Sequence, residues 1–218
     1  MQAGEITVGC HSFLFIDNAT DALDTPQFAA CRVSRDMNDI HFPEKVTLKN
    51  HFNERKLHLT RADCISSVPS VRARVTSICN QSIVYRNLFQ ARLKGARYTL
   101  SDADEFLAWA TAGWKLSTHF VFFIIDDQFG IVGAIDIKSA ELNNAEVGYW
   151  ADSNHPGNIT NAVLAMIDSA IGTGFIRFTA FVRHDNDNSC RVLQRAGFSL
   201  SHKVEEREGY FCWERCIT

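Results

Sequence analysis

Between Ala145 and Ala170 the sequence AEVGYWADSNHPGNITNAVLAMIDSA sets a short apolar run, a turn of Asn154, His155, Pro156, Gly157 and Asn158, and the start of an apolar helix in direct succession. A strand that feeds a glycine-containing turn into a helix N-terminus leaves several backbone N–H groups unpaired and pointing one way. That arrangement suits an anion such as phosphate. The same pattern also serves as a plain connection in α/β proteins, so both readings stand at this point. Other reactive side chains assemble less. The seven cysteines (Cys10, Cys31, Cys64, Cys79, Cys190, Cys212 and Cys216) are odd in number with no C-x-x-C pair, and the eight histidines form no cluster at metal-ligand spacing. Reduced thiols and no metal site are expected, although Cys212 and Cys216 can share one face of a strand.

The elements that must position this stretch follow from periodicity. Upstream, Lys56–Thr60 alternates as a strand, and Pro69 sits where a first helical turn tolerates it, ahead of Val71, Val75, Ile78 and Cys79 at helical spacing. A second helix is predicted over Ser82–Lys94, ended by Gly95, and a third over Asp102–Lys115, opened by a Ser101/Asp104 capping box with Phe106, Leu107, Ala110 and Trp114 inward. Three strands then succeed each other at hairpin spacing: His119–Ile125, Ile131–Lys138 and Glu146–Trp150.

The helix Thr160–Gly172 and the strand Phe175–Val182 complete a β-α-β unit in which Glu146–Trp150 and Phe175–Val182 run parallel. Ligands of such sheets gather at the strands' carboxyl ends. A polar turn, a short helix over Ser189–Ala196 closed by Gly197, and a hairpin of Phe198–Val204 with Tyr210–Arg215 end the chain. Residues 1–54 show no strong period beyond a possible strand at Ser12–Ile16 and helix at Pro26–Met37. They read as an extension packed on a main domain of residues 55–218.

A chain of 218 residues with 46% hydrophobic residues supports one full core. A net charge of -3 with Lys and Arg dispersed disfavours nucleic acid as a partner, and the longest wholly apolar run, Phe120–Ile125, is far too short to span a bilayer. With neither a basic signal-peptide flank nor a myristoylation glycine, the expectation is a cytoplasmic protein, monomeric or homodimeric, with no membrane partner.

Element order and residues together resemble the GNAT superfamily of acyl-CoA-dependent N-acyltransferases, in particular the branch of ribosomal-protein N-terminal acetyltransferases. Glu146-Val147-Gly148-Tyr149-Trp150 is similar to that branch's E-I/V-G-Y-W strand. Asn154–Ile159 stands where the family has Q/R-x-x-G-x-G/A, and the residues from Asn186 to Phe198 are similar to N-x-x-S-x-R-V-L-x-x-x-G-F. The resemblance covers roughly residues 55–218. It implies an α+β (mixed α/β) fold: a mostly antiparallel twisted sheet of about seven strands, helices on both faces, and a parallel β-α-β unit that carries acetyl-CoA.

By position, the resemblance assigns the pyrophosphate to the loop around Asn154, His155, Gly157, Asn158, Ile159 and Thr160. Pantetheine falls to Tyr149, Trp150 and Asn186, and general-base duty to Glu146, which needs partial burial for that role. Ser189 takes the place beside the departing sulfur, where a hydroxyl can bond a developing thiolate; capping the short helix is the competing role. Glu146 has an alternative as a surface carboxylate, and Tyr149 and Trp150 as core aromatics. The loop departs from the family pattern. Asn154 replaces Gln or Arg, Pro156 removes an N–H donor, and Ile159 puts a branched side chain where Gly or Ala is usual.

The implied activity is acetyl transfer from acetyl-CoA to a primary amine, either a small molecule or a protein N-terminus, by direct attack. A covalent route through Cys190 has no histidine beside it in the local sequence. The altered loop leaves a second class open, a degenerate relative that binds CoA weakly or not at all and acts through protein contacts.

Overall fold

The computed structural model describes residues 40–201 and 208–217. Among these residues eight strands form one sheet in the order β1-β2-β3-β4-β5-β6-β8-β7. The hairpin of β1 (Lys45–Lys49) and β2 (Lys56–Arg61) leads into β3 (Phe120–Asp126), β4 (Gly130–Ile137) and β5 (Ala145–Ala151), all antiparallel. After β5 the chain crosses over α4 (Ile159–Gly172) to β6 (Arg177–Arg183), which pairs with β5 in parallel. Helix α5 (Asp187–Arg195) then leads to β7 (Ser199–Leu200) and β8 (Tyr210–Cys216), with β8 inserted between β6 and β7.

The run Phe120–Ile124 is buried throughout, as expected of a strand covered on both faces. On one face α1 (Pro69–Cys79) and α3 (Leu100–Leu116) pack together, and Phe106 of α3 meets Trp150 and Phe123 edge-on at 6.1 and 6.2 Å. On the other, α4 lies over β1, β2, β4 and β5 and touches α5, burying Val163, Met166, Ile167 and Ala170.

The meander, the parallel β5–β6 pair and the burial of Phe106, Leu107, Ala110 and Trp114 agree with the sequence reading. Three details differ. Strand β1 lies within the segment read as an extension, so the sheet begins before residue 55 and has eight strands; the expected elements at Ser12–Ile16 and Pro26–Met37 lie outside the described residues. Helix α2 stops at Leu88, well before Lys94, because Phe89 turns inward onto Tyr98, with ring centres 4.7 Å apart. Finally, the capping box of α3 uses Thr99 and Asp102, two residues earlier than Ser101 and Asp104. Thr99 has the extended backbone a cap requires, and Asp104 is instead paired with Arg72 at 2.6 Å.

Candidate active site

Strands β5 and β6 share two partner pairs, Ala145 with Phe178 and Glu146 with Thr179, and form no further pair among the described residues. Beyond Glu146 they fork. The edge of β5 from Val147 to Ala151 therefore turns unpaired backbone N–H and C=O groups into the opening, a ready template for an extended ligand. Helix α4 starts just past the open end.

Alternation along β5 sends its side chains to opposite faces. Tyr149 crosses toward α5 and donates from its hydroxyl to the Ser189 carbonyl at 3.3 Å; burial pushes its phenol up, so it stays protonated. Trp150 is 8% exposed and packed on Phe106 and Phe123, so its ring belongs to the core and only its backbone faces the fork. Glu146, at the apex, accepts from Lys138 Nζ at 2.9 Å; the two side chains are 20% and 9% exposed.

At the far wall, Asn186 is the N-cap of α5. Its Oδ1 accepts from the Ser189 amide at 3.3 Å and its Nδ2 donates to Ser189 Oγ at 3.0 Å. The cap is thus Asn186, with Ser189 one turn inside the helix, because Asx side chains reach the third amide better than a serine already in helical geometry. Held this way, Ser189 Oγ accepts from Asn186 and keeps its own hydrogen to donate. The Cys190 thiol is pushed up by burial, reinforced by Asp187, which disfavours the thiolate a covalent route requires. Asn186→Ala should cost about 1 kcal/mol of stability through the lost cap and weaken cofactor binding by a further ~1 to 2 kcal/mol; thermal melts with and without acetyl-CoA separate the two.

The loop between β5 and α4 is held by residues the motifs did not mark. Asp152, 1% exposed, accepts from Arg74 at 2.5 Å, Gln81 at 2.7 Å, the Asn154 amide at 2.9 Å and His155 Nδ1 at 2.8 Å. Burial alone would raise its pKa, yet the bonds from Gln81, the Asn154 amide and His155, with the charge of Arg74, hold it down at about 2. A carboxyl depressed in the folded state stabilises above its unfolded pKa and ceases to do so as pH falls through the folded one. Asp152 should therefore contribute on the order of 2 kcal/mol at neutral pH that disappears between about pH 4 and 2, and Asp152→Asn should flatten the acid limb of the stability curve there.

Asn50, in the β1–β2 turn, braces the loop from the opposite side. Its Nδ2 donates to the Pro156 carbonyl at 2.9 Å and to Asn158 Oδ1 at 2.7 Å, while the His51 amide donates to the Gly157 carbonyl at 2.8 Å. Gly157 has φ +89°, and a Cβ there would lie 2.6 Å from Asn50 Oδ1 and 2.9 Å from the Phe52 ring. Asn158, buried at the N-cap of α4, also donates to the His155 carbonyl at 2.6 Å and gives the helix no side-chain cap. Among the described residues nothing accepts from the first-turn amides that follow, those of Ile159 and Thr160, which fits an anionic ligand. The side chains of Ile159 and Thr160 are buried, and that of Asn154 is exposed. Asp152 and Asn50 both follow a strand directly, where Asx residues organise turns; that was the available signal.

A mixed sheet forked at a parallel strand pair, with a helix N-terminus that has no side-chain cap beside the fork, is the arrangement of the GNAT fold. The chain belongs to the acetyltransferase (GNAT) domain family, whose model matches residues 72–199. It is 34% identical over 91 residues to the ribosomal-protein-serine acetyltransferase of Escherichia coli (strain K12), a match that takes in 39% of this chain and spans about half (51%) of that relative. Among solved structures, the microcin C7 self-immunity acetyltransferase MccE, in complex with acetyl-CoA and AMP, superposes with a TM-score of 0.58 at 20% identity, over 74% of this chain and 92% of its own. RimL, the ribosomal L7/L12 alpha-N-protein acetyltransferase in complex with coenzyme A, gives 0.60 at 16% identity, over 74% and 94%. These two likenesses are of fold.

Proposed function

We propose that the protein transfers an acetyl group from acetyl-CoA to a primary amine, with a protein or peptide N-terminus as the first acceptor to test. The observation that carries this reading is the fork itself, with Glu146 at its apex and the α4 N-terminus at its mouth. Acetyl-CoA supplies the thioester carbon that the amine attacks. The unpaired edge of β5 at Tyr149 and Trp150 holds the pantetheine arm through backbone groups, and the amides at the start of α4, those of Ile159 and Thr160, receive the pyrophosphate, since the Asn154 and His155 amides are taken by Asp152 and Pro156 has none. Glu146 takes the proton from the amine nitrogen as the N–C bond forms, and the Ser189 hydroxyl donates to the sulfur as the C–S bond breaks.

Support for the acceptor class comes from the names of the curated relative and of RimL, both protein acetyltransferases. A cytoplasmic setting agrees with this use of acetyl-CoA, and among the described residues no helix is long and apolar enough to cross a membrane. The test is thiol release from acetyl-CoA across a panel of serine-initiated peptides, amino acids and small amines. Turnover with a free N-terminus and none with the same peptide N-acetylated is expected; no thiol release with any amine would overturn the reading.

A further inference from the structure

Deep beside the fork apex, on the same face of the sheet as Glu146, stands a second carboxylate that no motif marked. Asp136 of β4 lies opposite Gly148 of β5, is 7% exposed, and its Oδ1 is buried with no hydrogen-bond partner among the described residues. A buried carboxylate oxygen without a donor is costly, so its retention calls for a reason. The position a Cβ on residue 148 would take is 2.8 Å from Asp136 Oδ1 and also 2.8 Å from Lys138 Nζ. Lys138 thus stands next to Asp136 while its ammonium bonds Glu146 at 2.9 Å, and the glycine is what allows this approach.

We infer that Asp136, Lys138 and Glu146 act as one proton-accepting unit, in which Asp136 is a positioning residue that takes over the Lys138 charge when Glu146 is protonated. This rests on Glu146 as the acceptor of the amine proton. Charge counting gives the reason. With both carboxylates ionised the unit carries one net negative charge in a largely buried site, and uptake of one proton brings it to neutrality, which burial favours. The amine lone pair forms the new N–C bond; the proton leaves the nitrogen, whose N–H electron pair stays there as the lone pair of the amide, and an O–H bond forms on Glu146. Lys138, then bonded to a neutral acid, has an ionised partner in Asp136 at hand.

The charges of Lys138 and Glu146 both act on Asp136, with a net upward shift that burial dominates. Burial raises its pKa; the Lys138 charge opposes that, the Glu146 charge adds to it, and the nearby Gly148 amide and His119 oppose it. His119 is itself pushed down by burial, and its ring nitrogens are bonded to the Trp109 carbonyl and to Thr118, so it is not the site of the proton.

The experiment is the pH dependence of kcat with a serine-initiated peptide that the wild type acetylates. Asp136→Asn removes the extra negative charge and should move the acid limb down by about one pH unit, with the KM for acetyl-CoA unchanged. Lys138→Met should move it up, and the double variant, with the original net charge restored, should return toward the wild type. Asp136→Ser, smaller and uncharged, should repeat the Asp136→Asn shift if asparagine packs badly. A second readout needs no turnover: carboxyl carbon-13 NMR of Asp136 should show its titration moving down by about one unit in Glu146→Gln. Acid limbs that coincide in all variants, or an Asp136 titration indifferent to Glu146, would overturn the inference. A wild type that releases no thiol with any amine fails the acetyltransferase reading instead, while the NMR titration still decides on the unit.

Discussion

Glu146→Gln is expected to lower kcat by about two to four decades, because the amide keeps the shape and a hydrogen-bond acceptor but cannot take a proton at neutral pH. Acetyl-CoA affinity should stay nearly constant, since the fork edge and the α4 amides that would hold it are untouched. Its bond to Lys138 can be replaced by the glutamine carbonyl, so folding should be little affected. Single-turnover kinetics with a good acceptor gives the measurement. An unchanged kcat would remove Glu146 from the chemistry and leave it as one half of an ion pair.

The other large effect is expected at Gly157. A valine there must adopt φ near +89°, a region β-branched residues rarely enter, and its Cβ would press on Asn50 and Phe52. The hairpin brace and the loop should come apart together, so Gly157→Val should abolish CoA binding and also lower the melting temperature. Ile159→Ala provides the contrast. It removes buried bulk at the first residue of α4, at a packing cost of about 2 to 4 kcal/mol, yet it opens the approach to the first-turn amides, so affinity should hold or rise. A folded Gly157→Val protein with wild-type affinity would show that the loop holds no phosphate. Loss of binding in a folded Ile159→Ala protein would make that side chain a ligand contact.

Much of the site was legible because its parts are local. The short apolar run from Ala145 and the 3.6-period helix after Asn158 read as strand, turn and helix, and the parallel direction of β5 and β6 follows from the length of that crossover. The dual role of Trp150 was left open by its sequence, and contact with Phe106, 44 positions earlier in the chain, decided the ring in favour of the core. What stayed hidden is long-range. Asn50 reaches Asn158 over a separation of 108 residues and Arg74 reaches Asp152 over 78, and no short pattern encodes such pairs. Strand β1 was missed for a related reason: KVTLK alternates, but the run is five residues long with Leu48 its one buried side chain, too short to stand out without its pairing to β2. The α3 cap turned on two overlapping patterns two residues apart, which the backbone of Thr99 resolves.

Titration calorimetry with acetyl-CoA tests the central assignment most directly, because the fork, the loop amides and Asn186 are all read as its site. A single site per chain is expected, with heat lost in Gly157→Val and retained in Glu146→Gln. Absence of binding at millimolar acetyl-CoA to the folded wild type would contradict it.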